Sequence, residues 1–318
     1  MKEHDAAAAR STLALSRLST YAKRWYVASR PFTLTASVAP VLVGSALAFS
    51  EEAARPLMFI LVLTASLLVQ VGANLVDEYS DHARPEGAQK IMAPYKVIAL
   101  GLFSASAVKR GAIASFAVAT AIGLYIVLVT GWPILVVSLA SLAVAYLYAG
   151  GPRPLGAYAI GEPLVFVFMG LIMVMGTYYV HTQTVTVEAL VLSIGVGCMV
   201  TAILVANNLR DLEEDAAAGK RTLVTLWGRG IGRWLWAGLV VTGIAIPVGL
   251  AVTDSMGLLL LLPLLVLPNA LQAQRSLWQG SDRASLLVAL RQSAQLHWRY
   301  GVVLAVGVGL ARFDWSQF

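Results

Sequence analysis

A single cysteine, Cys198, occurs in 318 residues and lies inside an apolar run, so neither a disulfide framework nor a thiolate metal cluster can form. The four histidines (His4, His82, His181 and His297) are scattered without metal-ligand spacing, and each is read as a surface residue rather than a ligand. Charge is scarce as well, at 13% of residues against about 25% in a soluble domain. No G-x-x-x-x-G-K-[ST] phosphate loop is present, and the glycine-rich "WGRGIG" (227–232) follows no strand, which excludes a dinucleotide site. A G-x-S-x-G nucleophile elbow is also missing. Residues 1–30 are polar and hold no apolar core, so no cleavable signal is visible.

What remains is apolar: 58% hydrophobic residues and a mean hydropathy of +0.74. Runs of roughly 20 apolar residues suffice to cross a bilayer core of about 30 Å. The chain is therefore read as an integral membrane protein with about nine spans, near 32–49, 57–76, 108–130, 132–149, 161–180, 189–207, 231–252, 256–274 and 295–312. Lipid satisfies no backbone groups, so continuous runs of this length must be helices. The expected fold is an all-α polytopic bundle, with a leader over 1–29 and one transmembrane domain over 30–318. Residues 10–28 read either as an interfacial amphipathic helix, with Leu18, Tyr21 and Trp25 on one side, or as part of a leader disordered through about residue 10. Gly44, Gly123, Gly170, Gly195 and Gly197 suit close helix packing, and Pro40, Pro247, Pro263 and Pro268 are expected to kink their helices.

Basic residues set topology through the loops they occupy. With the N-terminus in the cytoplasm, 21 of the 23 Lys and Arg fall on the cytoplasmic side, leaving Arg55 and Arg312 outside. This places a multi-pass protein in the cell (inner or plasma) membrane with its N-terminus and charged loops cytoplasmic and its C-terminus outside. The net charge of +6 is a topology signal, not the footprint of a nucleic-acid partner. No Asp, Glu, Lys or Arg lies near the middle of a span, where ion-coupled transporters place theirs. Polar chemistry collects at the cytoplasmic helix ends, which suits an enzyme acting on a lipid-tailed substrate.

Two clusters there share one spacing. In "NLVDEYSD" (74–81), Asn74, Asp77 and Asp81 stand at i, i+3 and i+7, and in "NNLRDLEED" (207–215) so do Asn208, Asp211 and Asp215. At about 100° per residue these offsets return to one helical face. Glu78 joins the edge of the first face; Glu213 and Glu214 fall off the second, and Arg210 points nearly opposite it. Paired carboxylate sets on one side of the membrane invite Mg²⁺, which takes one or two carboxylates plus substrate phosphates. Acidic residues can also simply mark the water interface, but that alone does not explain two clusters of equal spacing. CDP-alcohol phosphotransferases also use aspartates on adjacent helices, but their D-G-x-x-A-R opening is missing here.

With the acidic pair on the second and sixth spans, the chain resembles the UbiA superfamily of intramembrane prenyltransferases. It is most similar to the MenA type, the 1,4-dihydroxy-2-naphthoate polyprenyltransferases of menaquinone synthesis. The resemblance runs from Arg30 and rests on "RPFTLTASVAPVLVGSALA" (30–48), "YAGGPRPLGAYAIGEPLVFVFMGLIMVMGTYYV" (148–180) and, most specifically, "NNLRDLEEDAAAGKRTLVTLWGR" (207–229). One departure is visible: the family usually has Asn then Asp where Asp77 and Glu78 stand, which bears on metal geometry and substrate choice.

The resemblance implies a catalytic set of Asp77, Asp81, Asp211 and Asp215, a metal set that adds Glu78, and Asn74 and Asn208 orienting metal-bound water or phosphate oxygens. It implies a diphosphate clamp from Arg153 and Tyr148, joined by Lys220 and Arg221, basic residues that positive-inside topology explains equally well. The substrates it implies are a polyprenyl diphosphate and an aromatic acceptor. The allylic cation is attacked by the ring, which in the MenA type loses its carboxylate as CO₂ at the position prenylated. Other acceptors of the superfamily (4-hydroxybenzoate, homogentisate, a porphyrin, another naphthoate) stay open, as does a lipid or quinone transporter, which explains the spans but not the paired acidic faces. No obligate protein partner is inferred.

Overall fold

The computed structural model describes residues 20–83, 96–253 and 257–311. From Pro31 onward ten helices follow one another besides a 3₁₀ turn at Leu155–Ala157, and no strand occurs among the described residues: α1 Pro31–Ser50, α2 Pro56–His82, α3 Ala105–Thr130, α4 Trp132–Leu147, α5 Gly161–Thr182, α6 Val187–Arg210, α7 Leu212–Ala217, α8 Leu223–Val252, α9 Leu258–Gln279 and α10 Arg283–Leu310. Seven of them are long and apolar enough to cross a bilayer; α4 is shorter, and α10 carries Arg291 and Arg299. The protein is a multi-pass helical membrane protein.

The nine apolar runs reappear as nine long helices, several of them extended at the charged end. The second run closes at 76 whereas α2 continues to His82, and the seventh opens at 231 whereas α8 begins at Leu223. Hydropathy marks where lipid ends; hydrogen bonding and capping decide where a helix does. Thr222 caps α8 in a reciprocal box with Thr225, and Asp282 caps α10 with Ser285.

Helix α6 is the axis of the bundle, with most of its length buried. It packs on α5, α8 and α10, while α1 lies against α5 and α10 and α2 lies against α3. Gly170 and Gly197 meet back to back where α5, locally π-helical over Phe166–Ile172, crosses α6, and a Cβ on either would overlap its neighbours. Gly123 behaves differently from the expectation, because open space surrounds it and it lines a cavity instead of a helix contact. The break in α8 falls at Gly228, with φ 82°, rather than at Pro247. "WGRGIG" is thus a bend in a helix, made possible by a residue without a Cβ penalty in the left-handed region. Pro263 and Pro268 sit on either side of the change from 3₁₀ to α geometry within α9.

Two histidines depart from the surface reading. His181 is buried and bridges α5 to α1 and α2, its Nε2 3.1 Å from Ser45 Oγ and its Nδ1 accepting the Arg55 amide. His297 is fully buried in α10. In the leader, residues 20–28 are helical, and Tyr21, edge-on, and Trp25, tilted, both pack on Phe103 of the α2–α3 connection. Leu18 and the rest of the leader lie outside the described residues.

Candidate active site

Helix α2 leaves the apolar region at Asn74, and its last two turns carry the first acidic cluster. Asn74 is buried and donates from Nδ2 to Ser29 O and Thr33 Oγ1, both at 2.9 Å, which ties α2 to the start of α1. Asp77 pairs with Arg30 at 2.7 Å and faces a cavity. Glu78 is buried, accepts the Ile98 amide on Oε1 at 3.0 Å, and keeps Oε2 3.6 Å from Lys96 and 3.7 Å from Arg30. Asp81 binds Lys96 at 2.6 Å.

Arg30 and Lys96 were not singled out as site residues from sequence. Arg30 stood at the head of the "RPFTLT" stretch, and Lys96 was counted only as a topology charge. Two lysines and two arginines share the 77–110 segment with Lys96, and nothing local distinguishes it. Arg30 also occupies the left-handed region, φ 53° and ψ 67°. A non-glycine residue held there carries strain of order 1–3 kcal/mol and tends to mark a functional position.

The second cluster sits where α6 stops. Asp211 has non-helical angles, φ −97° and ψ 10°, yet the Asp215 amide still donates to Asp211 O at 2.8 Å. The face therefore survives the break: Asn208, Asp211 and Asp215 are all buried, whereas the Glu213 side chain is 73% exposed and pairs with Arg229. Glu214 is half-buried and pairs with Arg283, which also lies 3.5 Å from Asp211. Arg210 corrects the sequence reading. Instead of pointing opposite the reactive face, it folds back and binds Asp211 from Nε at 2.8 Å. Angular arithmetic for a regular helix ends where the helix does.

Asn208 donates to Glu162 Oε1 at 2.9 Å, and the same oxygen accepts the Leu223 amide at 3.1 Å. Glu162, at the start of α5, is a further buried carboxylate beside this cluster that sequence reasoning passed over; it is 2% exposed. The neighbouring Asn207, not Asn208, lines the cavity.

Tyr148 lies just past the end of α4. Its ring packs on Gly156, and its hydroxyl lies beside Gly161. Burial above all, then the carboxylates of Glu162, Asp77 and Asp215, pushes the hydroxyl well above its ordinary value. Lys220 binds Asp215 at 2.9 Å and reaches the same cavity. Arg153 and Arg221 are exposed and lie off the cavity wall.

The cavity holds about 510 Å³ and runs from Asp77, Tyr148, Asn207 and Lys220 down between α1, α2, α3, α4 and α5. Leu124, Val127, Leu135 and Leu142 are among its apolar wall residues. A polar, two-sided head above an apolar shaft suits a charged headgroup bonded to a hydrocarbon tail.

Among the described residues no three Asp, Glu, His or Cys side chains close a metal site by themselves. Mg²⁺ does not require such a cage, because it keeps waters and shares a carboxylate or two with substrate phosphates. The donor set is wholly oxygen, and Glu78 Oε2, Glu162 Oε2 and Asn208 Oδ1 are buried without a hydrogen-bond partner. These residues fit a hard cation brought in with a diphosphate.

The model of the UbiA prenyltransferase family matches residues 37–311. The chain belongs to that family. It is a prenyltransferase. The 1,4-dihydroxy-2-naphthoate octaprenyltransferase of Bacillus subtilis (strain 168) is 31% identical over 287 residues, covering 90% of this chain and 92% of that protein. The protein of the same description from Mycobacterium tuberculosis (strain ATCC 25618 / H37Rv) is 31% identical over 289 residues, covering 90% of this chain and 97% of its own. Among solved structures, a UbiA homolog from Archaeoglobus fulgidus bound to GPP and Mg²⁺ matches with a TM-score of 0.63 and 13% identity, over 89% of this chain and 99% of that one. Identity that low shows a shared fold. The transporter reading falls with this membership.

Proposed function

We propose that this prenyltransferase moves a polyprenyl group from its diphosphate to 1,4-dihydroxy-2-naphthoate, with loss of CO₂. The observation that carries the reading is that Asp77 of the first cluster, Tyr148, and Lys220 ion-paired with Asp215 of the second cluster line the head of one apolar cavity. The naphthoate is favoured over other acceptors because relatives of that description align along nearly their whole length.

Asp77, Glu78 and Asp81 on α2, with Asp211 and Asp215 at the α6–α7 junction, would hold Mg²⁺ against the diphosphate. When bound, the ion neutralises charge that develops on the leaving oxygens. Lys220 and the Tyr148 hydroxyl donate to those oxygens, a role that strengthens as the C–O bond breaks. Asn74, locked by Ser29 and Thr33, and Asn208, locked by Glu162, hold the two carboxylate walls in register. Arg153 and Arg221 contribute from the exposed rim.

The bookkeeping of the reaction closes without a general base. The electron pair of the C–O bond leaves with diphosphate, the ring's π electrons form the new C–C bond, and the C–CO₂⁻ bond returns its pair to the ring. The isoprenoid tail lies against the leucine-rich wall of α3 and α4. The transferase domain spans 30–318 behind a leader of 1–29, with the active-site loops and N-terminus cytoplasmic and the C-terminus outside, in the cell membrane.

The test is the purified protein in lipid, offered a polyprenyl diphosphate and a panel of aromatic acceptors, with products read by mass. A decarboxylated prenyl adduct of the naphthoate is expected. Turnover of another acceptor in its place would overturn the assignment.

A further inference from the structure

Hydropathy leaves α10 out of the apolar spans, because it carries Arg291, Gln292, Gln295 and Arg299. It nevertheless belongs to the membrane bundle. Gly301 lies against Ala39 of α1 and Gly309 against Ala46, so α10 and α1 run side by side in one direction. Helix α1 has 20 residues, about 30 Å, which matches the hydrocarbon core and makes α1 a ruler of depth. Arg299 stands about level with Ser37, six residues inside α1, and so about 9 Å below its charged end. Arg291 stands about level with that end.

Arg291, Gln295 and Arg299 follow at i, i+4 and i+8 and are all exposed, with Gln292 half-buried at their edge. The four positions fall within about 100° of one helical face. Neither arginine has a hydrogen-bond or ion-pair partner among the described residues. Gln292 Oε1 is buried without a partner, so this amide too is incompletely engaged. Helix α10 contains no Asp or Glu, nor do α1 and α9, which pack against it. Two guanidinium groups and two amides with no carboxylate make a face for an anion.

The depth decides which anion. A guanidinium inside hydrocarbon is costly without a partner, and its long stem lets it rise toward the headgroups. A second copy of the chain on this face would set arginine against arginine across a twofold contact. A small solvent anion has no means of staying at that level. A lipid with a charged headgroup does, and further along the same stripe Val302 is half-buried and Val306 exposed, an apolar track for its acyl chain. Trp298, 37% exposed beside Arg299, suits the boundary between the two regions.

We propose that this face of α10 binds an anionic phospholipid. Arg291 from above and Arg299 from below hold its phosphate, Gln292 and Gln295 donate to its remaining headgroup oxygens, and an acyl chain lies along Val302 and Val306. Eight residues separate the arginines, about 12 Å, a gap that two long side chains close from either end.

The experiment titrates the purified full-length protein, in a neutral detergent, with dioleoylphosphatidylglycerol and with dioleoylphosphatidylcholine, which share their acyl chains and differ in headgroup charge. Bound lipid is counted by native mass spectrometry. The anionic lipid should bind about 25-fold more tightly, about fivefold for each arginine. Arg291→Gln and Arg299→Gln should each reduce that preference about fivefold. Arg275→Gln, another exposed arginine but on α9, should leave it unchanged. Equal binding of the two lipids by the unaltered protein overturns the proposal without need of any variant. A preference that survives both substitutions on α10 places the lipid elsewhere, and an equal loss in Arg275→Gln reduces the effect to general surface charge; either result overturns it. So does displacement of the bound phosphatidylglycerol, mole for mole, by geranyl diphosphate without Mg²⁺, which would make the face a dock for the prenyl donor.

Discussion

Asp211 and Glu213 lie two residues apart and meet opposite fates. One is buried between Arg210 and Arg283; the other projects into solvent toward Arg229. Asp211→Ala and Asp81→Ala should each reduce kcat by about 10²–10³, the loss typical of removing a donor or charge that stabilises a transition state. Glu213→Ala should retain most activity. Comparable losses at Asp211 and Glu213, measured on protein with unchanged thermal unfolding, would contradict the site. The cations divide in the same way. Lys220→Ala should raise the donor KM clearly more than Arg153→Ala, because Lys220 lines the cavity and Arg153 does not. A larger defect at Arg153 would show that the α4–α5 loop closes over the diphosphate.

At the scale of elements, the bundle depends on places where backbones touch. Gly170→Ala drives a methyl into the backbone of Gly197 where α5 crosses α6. Overpacking of this kind costs about 1–3 kcal/mol, so a lowered unfolding temperature in detergent is expected. Gly123→Ala, facing open space, should leave that temperature unchanged. Equal shifts would mean that the crossing is looser than described. The helices were largely legible in the apolar runs, since a span without charge has few alternatives in lipid. Their ends were not: α2 and α8 extend well past their runs because caps and ion pairs, not hydropathy, terminate them. The buried face shared by Asn208, Asp211 and Asp215 was legible from spacing. The clusters' partners Arg30, Lys96 and Glu162 come from other elements, and a period within one helix carries no record of what packs against it. Arg210 was misread for a related reason, since the regular helix ends at that residue.

For the molecule as a whole, charge asymmetry and the cavity give one picture: a polar head at the face where the basic residues gather, proposed above to be cytoplasmic, with an apolar shaft between α1, α2, α3, α4 and α5 below it. In a Cys198→Ala background, cysteines introduced at 153 and at 55 should label from opposite sides of sealed vesicles. Labelling from the same side would overturn the orientation. The central claim is that the two carboxylate clusters act through Mg²⁺ on a polyprenyl diphosphate. The most direct measurement takes metal-depleted protein in lipid with polyprenyl diphosphate and 1,4-dihydroxy-2-naphthoate, and follows diphosphate release and product mass as Mg²⁺ is added, chelated with EDTA and restored. The account predicts a decarboxylated prenyl adduct that appears with Mg²⁺, stops with EDTA and returns on restoration. Adduct formed at the full rate by the metal-depleted protein would contradict it.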